Sequence, residues 1–186
     1  IARSRVADIV VVGHSMGAAI VMEVLRDLSL AGRHDLLARI DTVVLAAPDI
    51  DEDLFHQQFR TLGRRPRSFV LFVSRKDSLL QASATLRGGV PRVGLGVDLD
   101  GLTAMGIVVL DLSDFSTWNL STLHFEFATS PLVMSLIRDG AAARRALAEP
   151  AQMPLEQVIA EQARRDEALS RIVHLPPRAA PDDESA

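Results

Sequence analysis

The chain has 186 residues, of which 48% are hydrophobic and 24% are charged, and it contains no cysteine. This length and balance predict a soluble-type globular domain with a sizeable apolar core. The formal net charge of −4 argues against nucleic acid as a partner, and the absence of cysteine excludes disulfides and thiol catalysis. The sequence contains no apolar run of membrane-spanning length and no visible signal peptide, and it leaves the localisation unknown.

Short runs rich in β-branched residues alternate with helical patterns along the chain. Residues 7–12 (ADIVVV) predict a buried parallel strand, and the apolar spacing from Ile20 to Leu28 predicts a helix over 18–30. Three further strands are predicted at 41–47, 68–73 and 107–112. Three further helices are predicted at 53–62, 78–87 and 130–138, with a glycine-rich loop at 88–106. This alternation predicts an α/β fold with a mostly parallel sheet and helices on both faces.

The last part of the chain has a different character. Residues 154–173 have an amphipathic pattern that predicts a helix able to cover part of the sheet or to contact a partner protein. The end of the chain is rich in proline and then acidic, which predicts disorder. We therefore expect an α/β domain over 1–148, an amphipathic helix within 149–174 and a disordered tail at 175–186.

Chemistry is indicated by Gly13-His14-Ser15-Met16-Gly17, which lies between the first predicted strand and the first predicted helix. A Gly-x-Ser-x-Gly string in this setting is typical of a nucleophile elbow, where the serine occupies a strained strand-to-helix turn. The two glycines are expected to let strand and helix approach closely. The turn also places Ser15 at a helix N-terminus, where the Met16 N–H would stabilise an oxyanion.

A serine hydroxyl needs a base to accept its proton, and serine hydrolases with this elbow place Asp or Glu and then His later in the chain. Among five histidines, only His124 follows the fourth predicted strand in a loop before a helix. For the acid we favour Asp77, which follows the third predicted strand. Asp49, after the second strand, is the alternative, because parallel strands end at the same edge of a sheet.

The segments GHSMG, VVLAAPDID, LFVSRKDSLL, GGVPRVG and HFEFATSPLVMSLIRDG resemble a poorly characterised bacterial family of esterase- or lipase-like proteins with the α/β-hydrolase fold. The resemblance spans about residues 7–140 and implies Ser15, Asp77 and His124 as a catalytic triad. It also implies that this sheet is the C-terminal half of the fold, without the N-terminal strands and the second oxyanion donor. On that basis, we expect the isolated chain to be inactive or prone to aggregation.

Two functions follow from these patterns. The first is a serine hydrolase that cleaves a small carboxylic ester or related acyl substrate through an acyl-enzyme, with no cofactor or metal. The second is a non-catalytic scaffold of the same fold that binds a partner protein. Four aromatic residues near the predicted base would line an acyl pocket or belong to the core: Phe115, Trp118, Phe125 and Phe127.

Overall fold

The computed structural model describes residues 6, 9–63, 65–113, 124, 173 and 174. Strands and helices alternate through most of this part of the chain. The strands are β1 (Ile9–His14), β2 (Ile40–Ala46), β3 (Ser68–Val73), β4 (Val108–Asp111) and β5 (Val173–His174). The helices are α1 (Met16–Leu30), α2 (His34–Leu37), α3 (Glu52–Thr61), α4 (Ser78–Leu86) and α5 (Leu99–Ala104), and a 3-10 turn spans Val93–Leu95.

The described strands form one sheet in the order β1-β2-β3-β4-β5. Neighbours from β1 to β4 are parallel, while β5 pairs with β4 in the antiparallel direction. The predicted α/β fold with a parallel sheet is thus confirmed, and each of the four predicted strands lies within two residues of its expected bounds. Because the four parallel strands end at one edge, the loops that follow β1, β2 and β3 are brought together there.

Both faces of the sheet are buried across β2 to β4. One face packs on α1, α3 and α5, through core residues that include Met22, Phe59 and Leu102. On the opposite face, Val44 and Val70 are also almost fully buried. Burial on both sides explains why these strands appear in the sequence as continuous apolar runs rather than as alternating patterns.

Two details of the prediction were wrong. In α1, the buried positions are Ala18, Met22 and Leu25, whereas Ile20 and Val24, assigned to the apolar stripe, are exposed. The predicted loop 88–106 contains the 3-10 turn and α5, and the Asp98 carboxylate caps α5 by accepting from the Gly101 N–H. The high glycine content predicted a loop and thus missed a short helix that is stabilised by its N-cap residue.

Exposed apolar side chains concentrate on β1 and α1. They are Val10 and Val12 on the strand, and Met16, Ile20, Val24 and Leu30 on the helix. Val12 is in register with Val44, yet Val12 is 52% exposed while Val44 is 1% exposed. Among the described residues, the packing that buries Val44 on this face of the sheet does not extend over Val12.

Among the described helices, none has the length and apolar character needed for a bilayer crossing. The predicted helices at 130–138 and 154–173 lie outside the described residues, apart from Val173 at the end of the second. The predicted tail at 175–186 also lies outside them, so the domain boundaries stay predictions.

Candidate active site

Ser15 lies on the sharp turn between β1 and α1. Its backbone has φ 52° and ψ −126°, a conformation that is strained for a residue with a Cβ. The Ser15 N–H donates to Ala46 O (2.9 Å), and the Ser15 carbonyl accepts from the N–H groups of Ala18 (3.0 Å) and Asp49 (3.2 Å). The side chain makes no capping hydrogen bond to α1, and its hydroxyl lies instead within hydrogen-bond distance of the His124 ring.

The two glycines of the turn have different surroundings. A Cβ at Gly13 would lie 2.8 Å from Ala18 Cα and 3.1 Å from Ala18 N, so the strand and helix backbones approach too closely for any other residue. A Cβ at Gly17 would meet nothing within 4 Å among the described residues. The expected close approach is therefore found at Gly13 and was wrong for Gly17.

Asp77 follows β3 and is the N-cap residue of α4. One carboxylate oxygen, Oδ1, accepts from the backbone N–H groups of Leu79 (3.0 Å) and Leu80 (3.1 Å). These two bonds fix the orientation of the carboxylate, which is 1% exposed. The second oxygen, Oδ2, is thereby directed away from the helix and toward the elbow.

His124 connects this carboxylate to Ser15. Its Nδ1 lies 2.8 Å from Asp77 Oδ2, and its Nε2 lies 2.8 Å from Ser15 Oγ. The residue is 7% exposed. His14, which precedes the nucleophile candidate, places its Nε2 2.6 Å from the backbone oxygen of His124. A carboxylate, an imidazole and a hydroxyl thus form one hydrogen-bonded chain from Asp77 through His124 to Ser15.

A parallel α/β sheet with these side chains at its carboxyl edge is consistent with the family comparison. The family described as alpha/beta hydrolase of unknown function (DUF900) matches residues 1–140. The chain belongs to this family. The resemblance predicted from the sequence motifs is confirmed. No curated protein and no solved structure matches the chain.

Asp49, the alternative acid of this α/β hydrolase, makes other contacts in the structure. Its Oδ1 lies 3.0 Å from Nε of Arg92, and it accepts a hydrogen bond from Ser83 Oγ at 2.8 Å. Asp51, two residues later, pairs with Nη1 of the same arginine. Arg92 is almost fully buried, and no role was predicted for it from the sequence. An arginine within the apolar segment VPRVG was the available signal, because a buried cation requires carboxylate partners.

The predicted oxyanion donor, Met16, is the first residue of α1. Its N–H therefore has no acceptor within the helix and lies at the positive end of the helix dipole. The Met16 side chain is 68% exposed, so its backbone rather than its side chain is the part relevant to chemistry. The four aromatic residues predicted near the base lie outside the described residues.

A second group of polar side chains lies between α3 and α5. Among the described residues, Glu52, His56 and Asp98 have ligand atoms within 4.8 Å of one another, close enough for a metal ion. Burial, followed by the charge of Asp98, raises the pKa of Glu52, while His56 and, to a smaller extent, a hydrogen bond from the Asp98 backbone N–H lower it. The Asp98 carboxylate also caps α5. Through these contacts the three side chains connect α3 to the start of α5. None of the three belongs to the candidate triad.

Proposed function

We propose that this member of the alpha/beta hydrolase family is a serine hydrolase that acts on a carboxylic ester or related acyl substrate. The observation that carries the proposal is the hydrogen-bonded chain from Asp77 through His124 to Ser15, with both nitrogen–oxygen distances at 2.8 Å. A nucleophile, a base and an orienting acid within hydrogen-bond reach are the groups that acyl transfer requires.

The reaction follows from the role of each group. Ser15 Oγ attacks the carbonyl carbon while His124 Nε2 accepts the hydroxyl proton, and Asp77 stabilises the resulting imidazolium. The Met16 N–H, at the N-terminus of α1, would donate to the oxyanion. His124 then gives its proton to the leaving alcohol, which leaves an acyl group on Ser15. Water, activated by His124, attacks the acyl-enzyme and releases the acid.

The order of these groups along the sheet supports the finer prediction that β1 to β4 belong to the C-terminal half of a hydrolase sheet. Ser15 follows β1, Asp77 follows β3 and His124 comes after β4 in the chain. This is the order in which hydrolases with a nucleophile elbow arrange the serine, the acid and the histidine.

The test is covalent labelling with a fluorophosphonate, which reacts with an activated serine. We expect the reagent to add to Ser15, as located by peptide mass spectrometry, and Ser15→Ala to abolish both labelling and hydrolysis of short p-nitrophenyl esters. Ser29→Ala is the matched control, because Ser29 lies on the same helix and its hydroxyl bonds to Thr61 O instead. Unchanged ester hydrolysis by Ser15→Ala would rule out the proposal. A folded protein that never labels would favour the non-catalytic scaffold.

A further inference from the structure

A buried arginine lies behind the nucleophile turn. Arg92 is 1% exposed, and its guanidinium contacts the carboxylates of Asp49, through Nε at 3.0 Å, and Asp51, through Nη1. Removing a cation from water is costly unless it is paired, so this site depends on both aspartates. The two aspartates lie in the loop between β2 and α3, and the arginine lies directly before the 3-10 turn.

This loop also holds the nucleophile. The Asp49 N–H donates to the carbonyl of Ser15 at 3.2 Å, so the residue whose side chain pairs with Arg92 contacts the elbow through its backbone. The Asp49 carboxylate is further fixed by the Ser83 hydroxyl on α4, at 2.8 Å. The position of Asp49 is therefore set from both sides, and the Ser15 carbonyl is bound to it.

Backbone contacts around Arg92 extend the link to the acid. The Gly94 N–H donates to Pro48 O (3.0 Å), and the Gly94 carbonyl accepts from the Ser74 N–H (2.8 Å). The Ser74 carbonyl accepts in turn from the Asp77 N–H (3.2 Å). A Cβ at Gly94 would lie 2.8 Å from the carbonyl carbon of Ala47, so the two segments are in close contact. The segment that carries Arg92 thus joins the turn behind Ser15 to the turn of Asp77.

We propose that Arg92 is a positioning residue, which holds the β2–α3 loop through Asp49 and Asp51 and thereby holds Ser15 in its reactive conformation. The inference rests on the proposed serine hydrolase function. It explains why a cation is buried behind the turn: the φ of Ser15 is 52° and that of Ala47 is 43°, and such backbone conformations persist only where their surroundings fix them.

The first test is kinetic. Arg92→Gln should lower kcat and the rate of fluorophosphonate labelling by about 10- to 100-fold, because a displacement of about 1 Å at the nucleophile has an effect of this size. KM should change by less than about twofold, since Arg92 is too buried to touch substrate. Arg92→Lys keeps the charge but cannot contact both aspartates in the same way, so its kcat should lie between those of Arg92→Gln and the wild type.

Two controls separate positioning from general destabilisation. Leu37→Ala removes a fully buried side chain of α2 and should lower thermal stability while leaving kcat of the folded protein unchanged. Asp49→Asn combined with Arg92→Gln should lose no more activity than Arg92→Gln alone, because both act through one contact. Full kcat in folded Arg92→Gln and Arg92→Lys, or a loss confined to KM, would overturn the inference.

Hydrogen exchange gives a readout that does not depend on catalysis. In Arg92→Gln, or in Arg92→Lys should the first variant not fold, amides in the peptide covering 46–52 should exchange faster, while in Leu37→Ala their change should match that of the whole protein. If the wild type does not label at Ser15, the proposed function fails, and this exchange measurement still decides whether Arg92 holds the loop. Unchanged exchange in both arginine variants would refute the positioning role.

Discussion

At the scale of single residues, Asp77 has two tasks that a substitution can separate. Asp77→Asn retains an oxygen that accepts from Leu79 and Leu80, so the cap of α4 should survive. Its amide group, however, would face His124 Nδ1 and favour the tautomer that protonates Nε2, which then cannot accept the Ser15 proton. We expect kcat for ester hydrolysis to fall by about ten thousand-fold, the scale seen for the equivalent change in a serine protease.

Asp49→Asn serves as the comparison in that experiment. It leaves the His124 contacts intact and weakens the contacts of the Asp49 carboxylate to Arg92 and Ser83, so its effect on kcat should be much smaller than that of Asp77→Asn. Circular dichroism spectra should show that both variants are folded. A larger loss for Asp49→Asn would mean that the acid has been assigned to the wrong strand end.

Glu52 provides a prediction about pH and stability. Burial and the Asp98 charge raise its pKa above the ordinary value of 4.5, so the folded state favours the protonated form. The stability that protonation gives is complete at low pH and is lost as the pH rises through the raised pKa. Glu52→Gln should therefore gain stability relative to the wild type between about pH 4 and 7, by less than about 1 kcal/mol because solvent screens the site.

Urea unfolding at several pH values measures this difference. Asp100→Asn is a suitable control, because Asp100 is an exposed carboxylate in the first turn of α5 and reports the general effect of removing such a charge. An advantage of Glu52→Gln that stays constant from pH 4 to 7, or that shrinks as the pH rises, would contradict the prediction.

The residues of the candidate site differ in how far the sequence reveals them. Ser15 could be predicted because the motif and the strand and helix around it are contiguous in the chain. His124 could be predicted because it follows the last predicted strand. Arg92 was missed because its partners lie about forty positions away, and the contact depends on how two loops pack. An arginine is usually exposed, whereas pairing with two aspartates allows Arg92 to be buried.

At the scale of elements, the two glycines of the turn between β1 and α1 should differ in how well they tolerate substitution. Gly13→Ala would force a Cβ into backbone atoms of α1 and should destabilise the protein by about 1–3 kcal/mol. Gly17→Ala fills open space within a helix and should raise stability by up to about 0.5 kcal/mol, because alanine is the better helix former. Thermal unfolding of both variants tests this, and equal effects would contradict the difference in packing.

Strands were easier to predict than helix faces. β2 and β3 are mostly apolar, since both faces of the sheet are buried, and their length of six or seven residues and their β-branched and aromatic content distinguish them from a helix. In α1, apolar residues surround much of the helix, so the sequence did not distinguish Met22, which is buried, from Ile20, which is 67% exposed. That choice depends on which side of the helix meets the sheet.

At the scale of the whole molecule, the exposed apolar side chains of β1 and α1 predict self-association of the isolated chain. Ile20→Lys combined with Val24→Lys should reduce it without shifting the thermal midpoint, because both side chains are at least half exposed. Leu86→Lys, on α4, is the control: Leu86 is 88% exposed but belongs to a different helix. Size-exclusion chromatography measures the effect, and equal aggregation of all three proteins would show that association occurs elsewhere.

The positive φ angles of Ser15 and Ala47 have a consequence for how the protein folds. Ser15 N–H bonds to the end of β2, and Ala47 N–H bonds to Phe72 at the end of β3. Neither conformation is favoured by the chain locally, so we expect each to form only after its strands have paired, β1 with β2 for Ser15 and β2 with β3 for Ala47. On the proposed function, we therefore expect Ser15 to become reactive late in folding, and a chain whose sheet has not yet assembled to carry an unreactive serine. The rate at which refolding protein becomes reactive toward a fluorophosphonate would then measure how fast the sheet is completed.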